Sequence, residues 1–97
     1  MPGYVTLHKY TQQGLGNIKE SPDRLKRARA AGEKMGIKCV GAWVTLGEYD
    51  LVIVWDAPDD QTIAAFVLAQ TRLGNVTSQT LRALSEDEFA QVVAKLP

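Results

Sequence analysis

The sequence predicts an α+β fold: a ferredoxin-like β-α-β-β-α-β sandwich with a C-terminal helix and a four-stranded antiparallel sheet. Three observations carry this prediction. Strand-like and helix-like hydropathy periods alternate in that order along residues 1–97. The two middle strands are joined by a short link and so form an antiparallel hairpin. A helical segment joins each outer strand to that hairpin, as crossovers require.

Tyr4 to Thr11 is rich in β-branched and aromatic residues and free of Gly and Pro, which makes it the first strand. Gln12 to Asn17 reads as loop or a loose first turn, and Ile18–Glu20 as a short helix broken by Pro22. Ser21-Pro22-Asp23 is a helix start, with Ser as cap, Pro where no donor is needed and Asp at the positive end of the dipole. Leu25, Ala28, Gly32 and Met35 then recur at helical spacing until Gly36. Gly32 lets this helix approach the sheet. Ile37 to Leu46 is the second strand, Gly47-Glu48 a tight turn and Tyr49 to Trp55 the third strand. The nearly continuous apolar run of the third strand predicts cover on both faces. Asp56 to Asp60 opens a helix with Ile63, Phe66, Val67 and Leu73 on one side and Gly74 as its stop. Asn75 to Leu84 supplies the fourth strand. Ser85-Glu86-Asp87-Glu88 is a capping box for a last helix with Phe89, Val92, Val93 and Leu96 along one side.

Hydrophobic residues make up 45% and charged residues 23%, a globular composition for one domain spanning 1–97. Eleven basic and eleven acidic side chains cancel, which argues against a general nucleic-acid binder. A single Cys gives no internal disulfide, and a reducing, cytoplasmic setting is expected. No apolar run is long enough to cross a membrane, and no signal peptide is read.

Right-handed crossovers give the strand order 4-1-3-2 with both long helices on one face. Alternation along the first strand assigns Val5 and Leu7 to the covered side and Tyr4, Thr6, His8 and Tyr10 to the open side. Along the second strand it assigns Val40, Ala42 and Val44 to the core, and Cys39, Gly41, Trp43 and Thr45 to the open side. The aromatic patch on the open side calls for a second copy packed face to face, a two-fold dimer closing an α/β barrel. The C-terminal helix is the alternative cover.

Several segments carry a family likeness: YVTLHKYT, then QGLGNIKESPDR, then AWVTLGEYDLVIVWDAPDD, then LGNVTSQTLRALSEDEF. From about Tyr4 to Phe89 the chain resembles the GYD-domain family. Its Gly47-Glu48-Tyr49-Asp50 has an extra Glu relative to the letters that name the family. The resemblance implies a dimeric α/β barrel. It brings no established activity or catalytic residues.

Topology gathers His8, Tyr10, Thr45, Tyr49, Asp50, Asn75 and Thr77 along one rim. A catalytic reading makes His8 a general base, Asp50 its orienting carboxylate and Tyr10 an oxyanion donor. The plainer reading makes His8 a hydrogen-bonded interface residue, with Asp50 satisfying backbone beside the turn. Thr6, Trp43, Thr45 and Tyr49 are the candidate ligand-binding residues. Cys39 lies far from any base and reads as a small buried thiol. No residues form a metal-ligand cluster, and no cofactor is implied. Gly14-x-Gly16 lacks the third glycine of a dinucleotide fingerprint and reads as an ordinary loop. Arg24, Lys26, Arg27, Arg29 and Lys34 make the first long helix basic, which reads as a solvated face or a pairing surface for acidic partners.

The leading functional expectation is a homodimer, or a higher homo-oligomer, that binds a small molecule at the sheet face or rim. One alternative is a cofactor-independent monooxygenase or isomerase using His8, by fold analogy alone. The other is an oligomerisation or protein-interaction module.

Overall fold

A computed structural model describes residues 1–97. The strands are β1 (Gly3–Tyr10), β2 (Lys38–Val44), β3 (Leu51–Asp56) and β4 (Val76–Ala83). The helices are α1 (Gln12–Gly16), α2 (Ser21–Lys34), α3 (Asp60–Thr71) and α4 (Glu86–Ala94), with a 3₁₀ turn at Ile18–Glu20. The sheet runs β2-β3-β1-β4, and every neighbouring pair is antiparallel. This is the predicted strand order. Residues 12–16, read as loop, form a short helix, because the Thr11 hydroxyl caps it by accepting from the Gly14 amide.

The helix starts follow local chemistry. Asp59 caps α3 by accepting from the Thr62 amide at 2.8 Å. Ser85 and Glu88 form the reciprocal box that opens α4, with both bonds at 3.1 Å. Ser21 departs from its expected role. It is the first helical residue of α2 rather than its cap, and its hydroxyl turns instead to the Tyr10 phenol at 2.7 Å. Gly36 and Gly74 take positive φ just beyond α2 and α3 and so end them.

The core forms on one side of the sheet. Tyr4, Ile53 and Trp55 from the strands meet Ile63 and Phe66 of α3, with Ile37 just before β2 and Ala57 just after β3. Leu25, Ala28 and Ala31 of α2 pack against this cluster. The Trp55 and Phe66 rings meet edge to face, with centroids 5.0 Å apart.

The predicted faces of β1 are reversed. Tyr4, Thr6 and His8 lie buried under the helices, whereas Val5 and Leu7 are only partly covered on the other side. The reason is hydrogen bonding: the Tyr4 phenol donates to Asp60, and Thr6 and His8 join a side-chain network with Trp55. In β2 a bulge between Cys39 and Gly41 shifts the register. Cys39 therefore sits opposite Trp55 against the core, and Val40 turns out to solvent. Beyond the bulge, Ala42 faces the core and Trp43 the open side, as predicted. β3 is covered on one face only: Leu51, Ile53 and Trp55 are buried, and Val52 and Val54 are not.

The open face stays open. α4 buries none of its residues: Phe89, Val92 and Val93 lie exposed along it, as does Leu96 just beyond its end. It is tied to the sheet by the Arg82–Glu88 ion pair at 3.3 Å.

Candidate functional site

The two long helices touch where Gly32 of α2 faces Phe66 of α3. A Cβ at Gly32 would already lie 3.5 Å from the Phe66 ring, the edge of ordinary contact. Toward the start of α2 and the end of α3 a cavity of about 360 Å³ lies between the helices and the sheet. Its apolar wall includes Leu25, Ile53, Trp55, Phe66 and Val67. Its polar lining includes Thr6, His8, Tyr10, Ser21, Arg24 and Gln70. Glu20, Arg27 and Leu73 also line it and are exposed, so they mark its mouth.

A hydrogen-bonded chain forms the floor. The Trp55 indole N–H donates to Thr6 Oγ1 at 2.9 Å, and Thr6 Oγ1 lies 2.8 Å from His8 Nε2. Indole is a donor only, so Thr6 Oγ1 accepts from it, and the hydroxyl's second lone pair and its proton are both open to His8 Nε2, according to the imidazole tautomer. The other ring nitrogen, Nδ1, is buried and has no partner. Burial lowers the His8 pKa, which keeps the ring neutral at neutral pH.

At the cavity mouth the Tyr10 phenol and the Ser21 hydroxyl share one hydrogen bond. Arg24 donates through Nη1 to the Asn17 carbonyl at 2.8 Å, and the same atom lies 3.9 Å from Glu20 Oε2. Its Nη2 is buried without a partner.

The predicted site residues divide between two places. Thr6, His8 and Tyr10 line the cavity. Asp50, Thr45, Tyr49 and Trp43 do not. Asp50 accepts from the Tyr10 amide at 2.9 Å and donates its own amide to the His8 carbonyl, so it fastens the rim through backbone. The ring of His8 bonds Thr6 and not Asp50. Thr45 pairs with the hairpin loop, its hydroxyl donating to the Tyr49 carbonyl at 2.6 Å. Trp43 lies half-exposed on the bare face over Gly41. Tyr49 edges a shallow hollow of about 210 Å³ on that face with Leu7, Lys9 and Gln79.

Arg24, Ser21, Phe66 and Gln70 escaped the sequence reading as site residues. For Arg24 the signal was present: Ser21, Arg24, Leu25 and Ala28 share one helical face, and Leu25 and Ala28 mark it as inward. Gly14 also has a packing role. It is buried against the Asn75 carbonyl, where any Cβ would overlap the backbone. No three His, Cys, Asp or Glu side chains come together as metal ligands, and no helix is long and apolar enough to cross a membrane.

These features define a class: a small α+β sandwich with one sheet face under helices, one face bare, and an amphipathic helix standing clear of the core. The chain belongs to the GYD domain family, which matches residues 4–93. It is 31% identical over 97 residues to a protein of Thermus thermophilus named glutamine synthetase and cystathionine beta-lyase binding protein, with 99% of each chain covered. No solved structure matches the chain.

Proposed function

We propose that the chain is a protein-interaction module that docks on a metabolic enzyme, with α4 as its docking element. The observation that carries this reading is α4 itself. Its first turn is fixed by a complete capping box, yet Phe89, Val92 and Val93 along it, and Leu96 just past its end, all remain exposed. A pre-formed amphipathic helix with an unpartnered apolar side is the form in which helices enter grooves of other proteins. The name of the Thermus thermophilus relative supports the partner class: glutamine synthetase and cystathionine beta-lyase are the first enzymes to try.

The bare sheet face has a different occupant in this proposal, a second copy of the chain. Val5, Leu7, Val52 and Val54 stand on the two central strands, with Trp43 beside them. Face-to-face packing about a two-fold axis places such residues at the centre of a new core, with the polar Lys9 and Gln79 nearer its edge. A small molecule seated on this same face has less support, since the hollow there is shallow and mostly polar. Catalysis through His8 has less support as well, because Asp50 engages backbone rather than the ring.

The test uses purified glutamine synthetase and cystathionine β-lyase from the host organism, immobilised in turn. Wild type is expected to bind at least one of them saturably, and Phe89→Asp/Val93→Asp to lose at least about tenfold in affinity. Light scattering of the same variant is expected to give the dimer mass, because the sheet face is untouched. Binding to neither enzyme, or undiminished binding by the variant, overturns the proposal.

A further inference from the structure

We propose that the cavity between α2 and α3 is a binding site for a small monocarboxylate with an aromatic or branched apolar body. Arg24 receives the carboxylate, and Trp55 and Phe66 receive the body. This site is separate from α4 and does not depend on the docking proposal.

The size comes first. The cavity opens at the Glu20, Arg27 and Leu73 mouth and reaches down to the sheet, the concave form that small-molecule sites take. At about 360 Å³ this one falls within the range of small-molecule pockets. It also arises from the way the helices lie. They meet at Gly32 and Phe66, and the lining comes from Ser21 to Ala28 of α2 and Phe66 to Gln70 of α3.

The polar groups settle the ligand chemistry. Buried polar atoms nearly always have partners, and two side chains that line this cavity hold buried atoms without one: His8 Nδ1 and Arg24 Nη2. Arg24 Nη2 is a donor in every case, since a guanidinium has no acceptor. The Tyr10–Ser21 pair shares a single bond, so one of its two hydroxyl protons is free as well. Two donors are therefore open at the Arg24 end, Arg24 Nη2 and that hydroxyl proton. Two cations, Arg24 and Arg27, line the cavity against one anion, Glu20. An acceptor-only group with a single negative charge answers this surplus, and a guanidinium matches a carboxylate. A phosphate would need a denser set of cations or a backbone cradle, and neither is present. The walls are chiefly apolar, and the Trp55 and Phe66 rings set edge to face give a flat or branched body two surfaces to lie against.

The experiment follows the two indole N–H resonances of the isotopically labelled chain during titration with 3-phenylpropionate and, separately, octanoate. 3-Phenylpropanamide serves as the uncharged control. Trp55 reports the cavity, and Trp43, on the bare face, is the internal reference. The expected result is a saturable shift at Trp55 with Trp43 unmoved, and binding of the amide at least about tenfold weaker than that of 3-phenylpropionate. Arg24→Gln is expected to bring the carboxylate down to the affinity of the amide and to leave the amide unchanged. Ala28→Phe fills the cavity from α2 and is expected to abolish the shift with every probe. Arg24 lies outside the apolar cluster, so its variant remains decisive if Ala28→Phe fails to fold. The proposal is overturned by a shift at Trp43 instead of Trp55, by equal binding of acid and amide, or by an Arg24→Gln protein that keeps the wild-type carboxylate affinity. It is overturned equally if neither acid saturates below about 10 mM.

Discussion

Beneath the helices the sheet presents rings and hydroxyls, and on its other side it presents aliphatic side chains. Tyr4, Thr6 and Trp55 are buried with every side-chain polar group bonded: phenol to carboxylate, indole to hydroxyl, hydroxyl to imidazole. Val5, Leu7, Val52 and Val54 carry no polar atoms in their side chains and yet lie outside the core. The contrast teaches that burial within this chain follows helix cover and hydrogen-bond satisfaction rather than hydropathy alone. The aliphatic face has the composition of an interior without a layer over it, which is the composition of an interface. One side of the sheet holds the chain together, and the other is the face proposed above for a second copy.

The sharpest way to break this comparison is to remove one large ring from each face. Phe66→Ala deletes a buried ring that meets both Trp55 and the close approach of Gly32. It is expected to cost about 3–5 kcal/mol of unfolding free energy. Trp43→Ala removes a larger ring that is 56% exposed. In protein dilute enough to be monomeric it is expected to change stability by no more than about 0.5 kcal/mol. At higher concentration it is expected to weaken the proposed self-association, which sedimentation measures. A large cost for Trp43→Ala in dilute protein would mean that the bare face is covered from within the chain.

The element order, the strand order and the capping box of α4 were legible in the sequence, because each rests on local chemistry. Ser85 and Glu88 need only each other, and the Thr45–Asp50 pairing needs only the hairpin. The face of β1 was not legible, because it depends on partners distant in the sequence. Tyr4 is acceptable in the core only once Asp60 reaches its phenol, 56 residues away. Thr6 is acceptable only once Trp55 approaches it, 49 residues away. Alternation fixes which residues share a face, but not which face is covered. The β2 bulge is a second such case: one unpaired residue, Val40, reverses the side on which Cys39 lies. The site was legible in part for the same reason. Thr6, His8 and Tyr10 were grouped correctly by parity, while Trp43 was joined to them across a sheet that separates it, and Asp50 reaches the Tyr10 amide rather than the His8 ring.

A smaller effect sharpens the comparison within one cross-strand pair. Thr6 on β1 lies opposite Thr80 on β4. Thr6 is buried and bonds both Trp55 and His8, and Thr80 is exposed. Thr6→Val keeps the shape but strands two buried nitrogens, at an expected cost of about 1–3 kcal/mol. Thr80→Val is expected to stay within about 0.5 kcal/mol of wild type. Urea unfolding of the two variants measures the difference. Equal values would mean that the Thr6 network contributes nothing beyond packing.

The smallest effect separates the covered face from the exposed helix starts by pH. His8 is the one histidine in the chain, and burial lowers its pKa from the ordinary 6.5. The unfolded chain therefore takes up a proton near pH 6.5 that the folded chain takes up only at lower pH. Stability is full above 6.5 and falls as the pH drops from there toward the folded value. Asp59 and Glu88 behave alike at more acid pH. Hydrogen bonds from Thr62 lower Asp59 from 3.8, and the Ser85 amide, with help from Arg82, lowers Glu88 from 4.5. Their share of stability is present above those ordinary values and is lost only below them, so the decline that begins at 6.5 belongs to His8. Denaturant midpoints from pH 7 down to about 5 are expected to decline in wild type and to stay level in His8→Gln. A level wild-type profile over that window would mean that the ring protonates as easily folded as unfolded. His8 Nδ1 would then have a partner or water beside it, and the covered face would be wetter than its burial implies.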